Sequence, residues 1–99
     1  MSNQNQATCY IKQIFTENYL YYTFSTSIKV ETFIEEVKKL FVDIMNVHPE
    51  KIEVVEAGQE MPYSKPEDAP KIEIEDITMQ EKYGDNIKKK AFYVRYTHL

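Results

Sequence analysis

From Val30 onward, apolar side chains recur at steps of three and four: Val30, Phe33, Ile34, Val37, Leu40, Phe41 and Ile44. Glu35, Glu36, Lys38, Lys39 and Asp43 fill the opposite side. This pattern constrains the chain more than any other. It predicts one amphipathic helix of about four turns over Glu31–Asn46 whose stripe must face a core. Thr32 and Glu35 have capping-box spacing, and Pro49 sets a stop because the residue before a proline disfavours helical angles. Burying seven such side chains is worth roughly 1.5 to 3 kcal/mol each, most of it offset by ordering entropy. A lone helix does not persist on those terms, so it has to dock on something flat.

The flanking segments supply the surface. Tyr10–Phe15 and Tyr19–Phe24 are rich in aromatic and β-branched residues, and Thr16-Glu17-Asn18 between them is polar and ends in a residue that tolerates left-handed angles. The pair reads as a β-hairpin. Alternation places Ile11, Gln13 and Phe15 on one face of the first strand and Leu20, Tyr22 and Phe24 on one face of the second. Lys51–Gly58 alternates again and closes on glycine, which predicts a third strand. Lys71–Glu75 alternates strictly and predicts a short strand with Ile72 and Ile74 inward. Asp76–Gly84 combines a cap-like Asp76, inward Ile77 and Met79 and a closing glycine, as a single helical turn or tight loop would. Ala91–Tyr96 reads as a last strand with Phe92, Val94 and Tyr96 on one face.

With 99 residues the chain forms one domain, since two halves would each be too small to bury a stable core. Residues 1–8 are expected to be a disordered leader and 9–99 the folded domain, interrupted by a loop at 59–70 that carries Pro62, Pro66 and Pro70. The composition, 42% hydrophobic and 28% charged, is that of a globular protein. A net charge of −4 disfavours nucleic acid, whose backbone is bound by clustered Lys and Arg. The charge is uneven, with nine acidic and three basic residues in 50–76 against five basic and one acidic in 82–95. Cys9 is the sole cysteine, so no internal disulfide forms and a reducing compartment, cytoplasmic or nuclear, is the natural setting. Met1–Ala7 lacks the apolar stretch of a signal peptide, and no apolar run approaches the roughly 20 residues of a membrane span.

Chemistry has little to build on. His48, His98 and Cys9 show no metal-ligand spacing, and Cys9 at a strand start reads as a small buried hydrophobe. Glu35-Glu36, Glu67-Asp68 and Glu75-Asp76 are sequence neighbours that point apart, not acid/base pairs. Gly58 and Gly84 are the only glycines, too few for a phosphate-cradling loop. Lys88-Lys89-Lys90 is the one basic run and reads as a charged flank that blunts edge pairing. No catalytic, cofactor or metal residue is therefore assigned.

The order strand, strand, long helix, strand, short strand, irregular turn, strand over Tyr10–Tyr96 resembles the ubiquitin-like β-grasp, with Val54-Val55-Glu56-Ala57-Gly58 similar to the family's third strand and its Ala-Gly turn. The resemblance implies an α+β fold, a mixed sheet of about four or five strands packed on one helix. A ferredoxin-like sandwich is the rival, and would need a second long helix. The family's modifiers are conjugated through a Gly-Gly tail, whereas this chain ends Tyr96-Thr97-His98-Leu99, so the expectation is the non-conjugated use of the fold as a module that binds another protein. In similar proteins the sheet surface opposite the helix binds partners through the third and last strands. The positions that map onto it are Val55, Tyr93 and Arg95, and Tyr63 of the proline-rich loop is a further candidate contact. The alternative is a small structural subunit of a larger assembly, homo-oligomeric or mixed, with the oligomeric state itself left open.

Overall fold

The computed structural model describes residues 5–57 and 71–97. The two aromatic segments pair as an antiparallel hairpin of β1 (Gln6–Gln13) and β2 (Tyr19–Ser25), in a register that sets Cys9 against Tyr22 and Ile11 against Leu20. The first strand begins earlier than the sequence reading allows. Residues 6–8, assigned there to a leader, belong to the sheet, because Ala7 is small and apolar and is buried beside Phe24 in the core. The register also explains Gln13: its side-chain oxygen accepts a hydrogen bond from Asn18 Nδ2 at 2.9 Å and braces the turn.

The predicted helix is α1 (Val30–Met45), with Val30, Phe33, Ile34, Val37 and Phe41 buried against the sheet. Leu40 and Ile44 keep 41% and 42% of their surface exposed. They continue the helix row of Phe33 and Glu36, which turns toward Tyr22 of β2, and β2 is the last strand on that side. The N-terminus differs from the expected capping box at Thr32 and Glu35. The helix starts earlier, at N-cap Lys29, which makes no side-chain cap bond. Backbone pairing replaces it: Val30 N–H donates to the Ile77 carbonyl at 2.9 Å and Lys29 bridges to Thr78. At the other end Asn46 takes φ 58° and closes the last turn on Val42, ahead of Pro49.

A short 3₁₀ turn (Pro49–Lys51) leads into β3 (Ile52–Ala57). After residue 71 the chain forms α2 (Met79–Tyr83), a 3₁₀ segment (Gly84–Lys89) and β4 (Ala91–Tyr96). β4 lies parallel to β1 and antiparallel to β3, giving the sheet order β2-β1-β4-β3. Helix α1 fills the concave side, where Phe33 meets Phe24, Phe92 and Tyr22 with ring centroids 4.9 to 5.9 Å apart. The rival sandwich does not fit: β1 and β4 are parallel neighbours in the order β2-β1-β4-β3, and among the described residues the second helix, α2, has 5 residues.

Two expectations in the second half change. Lys71–Glu75 is not a strand: Lys71 bridges to Val55 and Ile72 N–H donates to the Val54 carbonyl at 3.1 Å, after which the chain leaves the sheet. Ile72 is buried as expected, but Ile74 is exposed because that departure carries it past the edge of β3. The cap of α2 is Thr78 instead of Asp76. Thr78 Oγ1 accepts from Glu81 N–H at 3.0 Å while Glu81 Oε1 accepts from Thr78 N–H at 2.8 Å, a complete capping box. Asp76 pairs with Lys29 at 2.9 Å instead.

Candidate functional site

The sheet face turned away from α1 collects the even-numbered positions of β1 and the odd-numbered positions of β2, β3 and β4. Across it run Tyr21, Tyr10 and Ala91 in one row, and Tyr19, Lys12, Tyr93 and Val55 in the next, followed by Arg95 and Glu53. On the β3–β4 half this face is closed by its own side chains. Val55 is 0% exposed, packed with Ile14 and Tyr93 in a small second cluster. Arg95 Nε donates to Glu53 Oε1 at 2.8 Å. Partial burial by itself would raise the Glu53 carboxyl, but the hydrogen bond and charge of Arg95, with Lys71 and Thr97, hold it below the ordinary carboxylate value.

The hairpin half of the same face is open. The rings of Tyr10, Tyr19 and Tyr21 meet pairwise at 5.4, 5.5 and 6.0 Å, the range of favourable aromatic pairs, and Tyr21 is nevertheless 67% exposed. Beyond them the hairpin turn projects Phe15, which is 78% exposed at φ 67°. The turn is braced by Thr16, whose hydroxyl donates to the Gln13 carbonyl at 3.0 Å and accepts from Asn18 N–H at 3.1 Å. A bulky residue in left-handed conformation is costly, so this bracing holds Phe15 where it would not settle alone.

The four residues assigned from sequence therefore separate. Tyr93 and Arg95 sit together on the outer face, both half-buried. Val55 is beside them but beneath the surface, so it supports Tyr93 and does not itself offer contact area. Tyr63 and the loop at 59–70 lie outside the described residues. Alternation sets Phe15 on the face of Ile11 and Gln13, but the chain leaves β1 after Gln13, so Phe15 does not share the burial of Ile11 and stands exposed. The tyrosine cluster was missed, although it follows by elimination once Leu20, Tyr22 and Phe24 are placed inward.

Elsewhere a buried network of ionisable groups helps hold the fold. Tyr83 Oη donates to Glu56 Oε2 at 2.9 Å and Lys90 Nζ to Glu56 Oε1 at 3.0 Å, with Lys90 5.0 Å above the Tyr83 ring. Burial, then the negative Glu56, pushes the Tyr83 phenol far above its ordinary value. Cys9 is fully buried, and desolvation raises its thiol to about 12, which keeps it in the unreactive protonated form. An open hollow of about 350 Å³ lies between α1 and the β3 edge, where Lys38 and Lys71 alternate with Glu50, Glu53 and Glu73. Its rim thus has no single sign of charge. Among the described residues no group of three or more His, Cys, Asp or Glu could hold a metal ion, and no helix is long and apolar enough to cross a membrane.

No family model and no curated protein matches the chain. Among solved structures it is similar to the solution structure of the C-terminal ubiquitin-like domain of mouse tubulin-specific chaperone e, with a TM-score of 0.61 and 17% sequence identity, covering 100% of this chain and 94% of that one.

Proposed function

From a ubiquitin-like β-grasp fold, which the topology and that structural likeness establish, we propose that the chain is a non-catalytic protein-interaction module that receives its partner on the outer face of the sheet. The observation that carries this reading is the uncharged aromatic surface of exposed Tyr19, Tyr21 and Phe15 around half-buried Tyr10, continuous through Lys12 with Tyr93 and Arg95. Tyrosine and arginine concentrate binding energy because they offer large contact area together with polar groups. A partner made of protein suits this surface better than nucleic acid, since the face carries Lys12 and Arg95 among mostly neutral rings and the whole chain is acidic. At 17% identity the mouse domain transfers the fold, and its chaperone's client does not come with it. The free buried Cys9 fits a reducing compartment.

The test is affinity capture from the native cell with the wild-type chain, with Tyr19→Ser plus Tyr21→Ser, and with Tyr93→Ser plus Arg95→Glu. Retained protein should fall at least about tenfold with either pair, as loss of an interface centre does. Circular dichroism should be unchanged, and Lys39→Glu on the helix should capture as wild type does. Undiminished retention by both pairs removes this face as the binding surface.

A further inference from the structure

The two edges of the sheet are treated differently. The β3 edge is covered by the Lys71 bridge and the Ile72 hydrogen bond. Along β2 nothing among the described residues pairs with the outer side. Exposed edges are ordinarily protected by lysine, proline, a bulge or inward-pointing charge. Tyr19–Ser27 has no charged residue and no proline, and β2 pairs residue for residue with β1 without a bulge.

The hairpin register fixes which groups stand open. Gln13 N–H donates to the Asn18 carbonyl and Thr26 N–H to the Asn5 carbonyl, so the even-numbered residues of β2 turn their backbone groups to β1. Tyr19, Tyr21 and Thr23 turn theirs outward, while the Ser25 carbonyl is taken by Ile28 N–H. On the helix side of this edge, Leu40 and Ile44 are the two stripe residues left exposed. A further strand beside β2 would pair the open backbone groups and cover those side chains in one step.

We propose that this strand is β2 of a second copy of the chain, paired antiparallel about Tyr21. The segment is its own complement: in that register Tyr21 meets its counterpart, Tyr19 meets Thr23, and Leu20 meets Tyr22 on the helix side. Tyr19–Ser25 carries no charge, so two copies of this acidic chain meet along the ladder without like charges opposing, and Glu36, the acidic group nearest Tyr22 on the helix side, is paired with Lys39 of its own chain at 3.6 Å. The two-fold axis stands perpendicular to the sheet, so both helices lie on one side and their Leu40 and Ile44 side chains flank the junction. The pairing leaves Tyr93 and Arg95 outside the seam.

The full chain is followed by light scattering and by amide hydrogen exchange across a dilution series. The expected mass is twice that of one chain at high concentration, with the Tyr19, Tyr21 and Thr23 amides exchanging at least about tenfold more slowly than after dilution. Thr23→Pro removes one edge N–H and the exposed Thr8–Thr23 hydroxyl bond while leaving the backbone ladder to β1 intact, and Leu40→Glu places charge at the junction; each should return the single-chain mass with unchanged circular dichroism. A single-chain mass at the highest attainable concentration overturns the proposal. So does a dimer that survives both variants, a doubled mass without slower exchange at those amides, or protection that appears only when another protein's extended segment is added. Leu40→Glu lies on the helix side and leaves Tyr19, Tyr21, Tyr93 and Arg95 of the outer face untouched, so with that variant loss of self-pairing and loss of partner capture are read separately.

Discussion

The outer face of the sheet has two halves built on the same alternation, and they have opposite fates. On the β3–β4 half, each outward residue meets a neighbour able to satisfy it: Val55 is capped by Tyr93 and Ile14, and Glu53 binds Arg95. On the hairpin half, Thr8 and Thr23 share a hydroxyl hydrogen bond at 2.8 Å, but the large outward residues are tyrosines whose rings touch one another and, for Tyr19 and Tyr21, otherwise stand in solvent. The period of the pattern is equal in both. What differs is whether a side chain's best partner lies in the same molecule, and this separates a face that finishes the fold from one available to something else.

The largest effect that bears on this contrast is on stability. Val55→Ala deletes buried methyl groups from a small sealed cluster and should cost about 2 kcal/mol in urea unfolding. Tyr21→Ala, at the cross-strand position of the open half, should cost less than about 1 kcal/mol, because it gives up pairwise ring contacts and little burial. Equal costs for the two substitutions would erase the distinction between the halves.

A smaller effect comes from the charge pair. Glu53→Gln should lower stability by about 1 kcal/mol at neutral pH, the size of a partly shielded ionic hydrogen bond. The pH dependence has a definite sign. The folded Glu53 carboxyl is held below its unfolded value of roughly 4.3, so its contribution is full above that pH and is lost as pH falls through the lower folded value. Asp76 is also lowered, by its hydrogen bond to Lys29, but that pair is fully solvated and screened. Unfolding free energy measured from pH 6 downward should therefore fall less steeply in Glu53→Gln than in wild type. An identical acid limb in the two proteins would show that the pair does not help seal its half.

Much of this architecture is legible before any coordinates. The α1 stripe, the hairpin and the last strand are long or strongly periodic, and each was placed within a few residues of where it lies. The parts that escaped depend on tertiary partners. Thr32 and Glu35 have the spacing of a cap, yet the backbone of Ile77, 47 residues after Val30, is what closes that helix end. Ile74 alternates with Ile72, yet only the first two residues of that segment find an edge to pair with. For the site, Tyr93 and Arg95 fall on the surface that resemblance pointed to, whereas the burial of Val55 depends on Ile14 reaching it from the hairpin turn. A period identifies which face a residue takes; whether that face is then covered is decided by residues far away in the chain.

The smallest and most discriminating prediction concerns Phe15, where fold and function pull in opposite directions. At φ 67° a Cβ-bearing aromatic is strained, and with 78% of its surface exposed the ring recovers little by packing. Phe15→Gly should therefore raise stability, by about 0.5 to 1 kcal/mol, since relief of the left-handed strain outweighs the added freedom of the unfolded chain. Phe15→Asn should act in the same direction to a smaller extent, because asparagine tolerates that conformation. If the open half of the sheet is the binding face, the same substitutions should weaken partner capture while the midpoint of urea unfolding moves up. A residue that stabilises the fold would give losses in both measurements, and a residue with no role would give a gain in stability with capture unchanged.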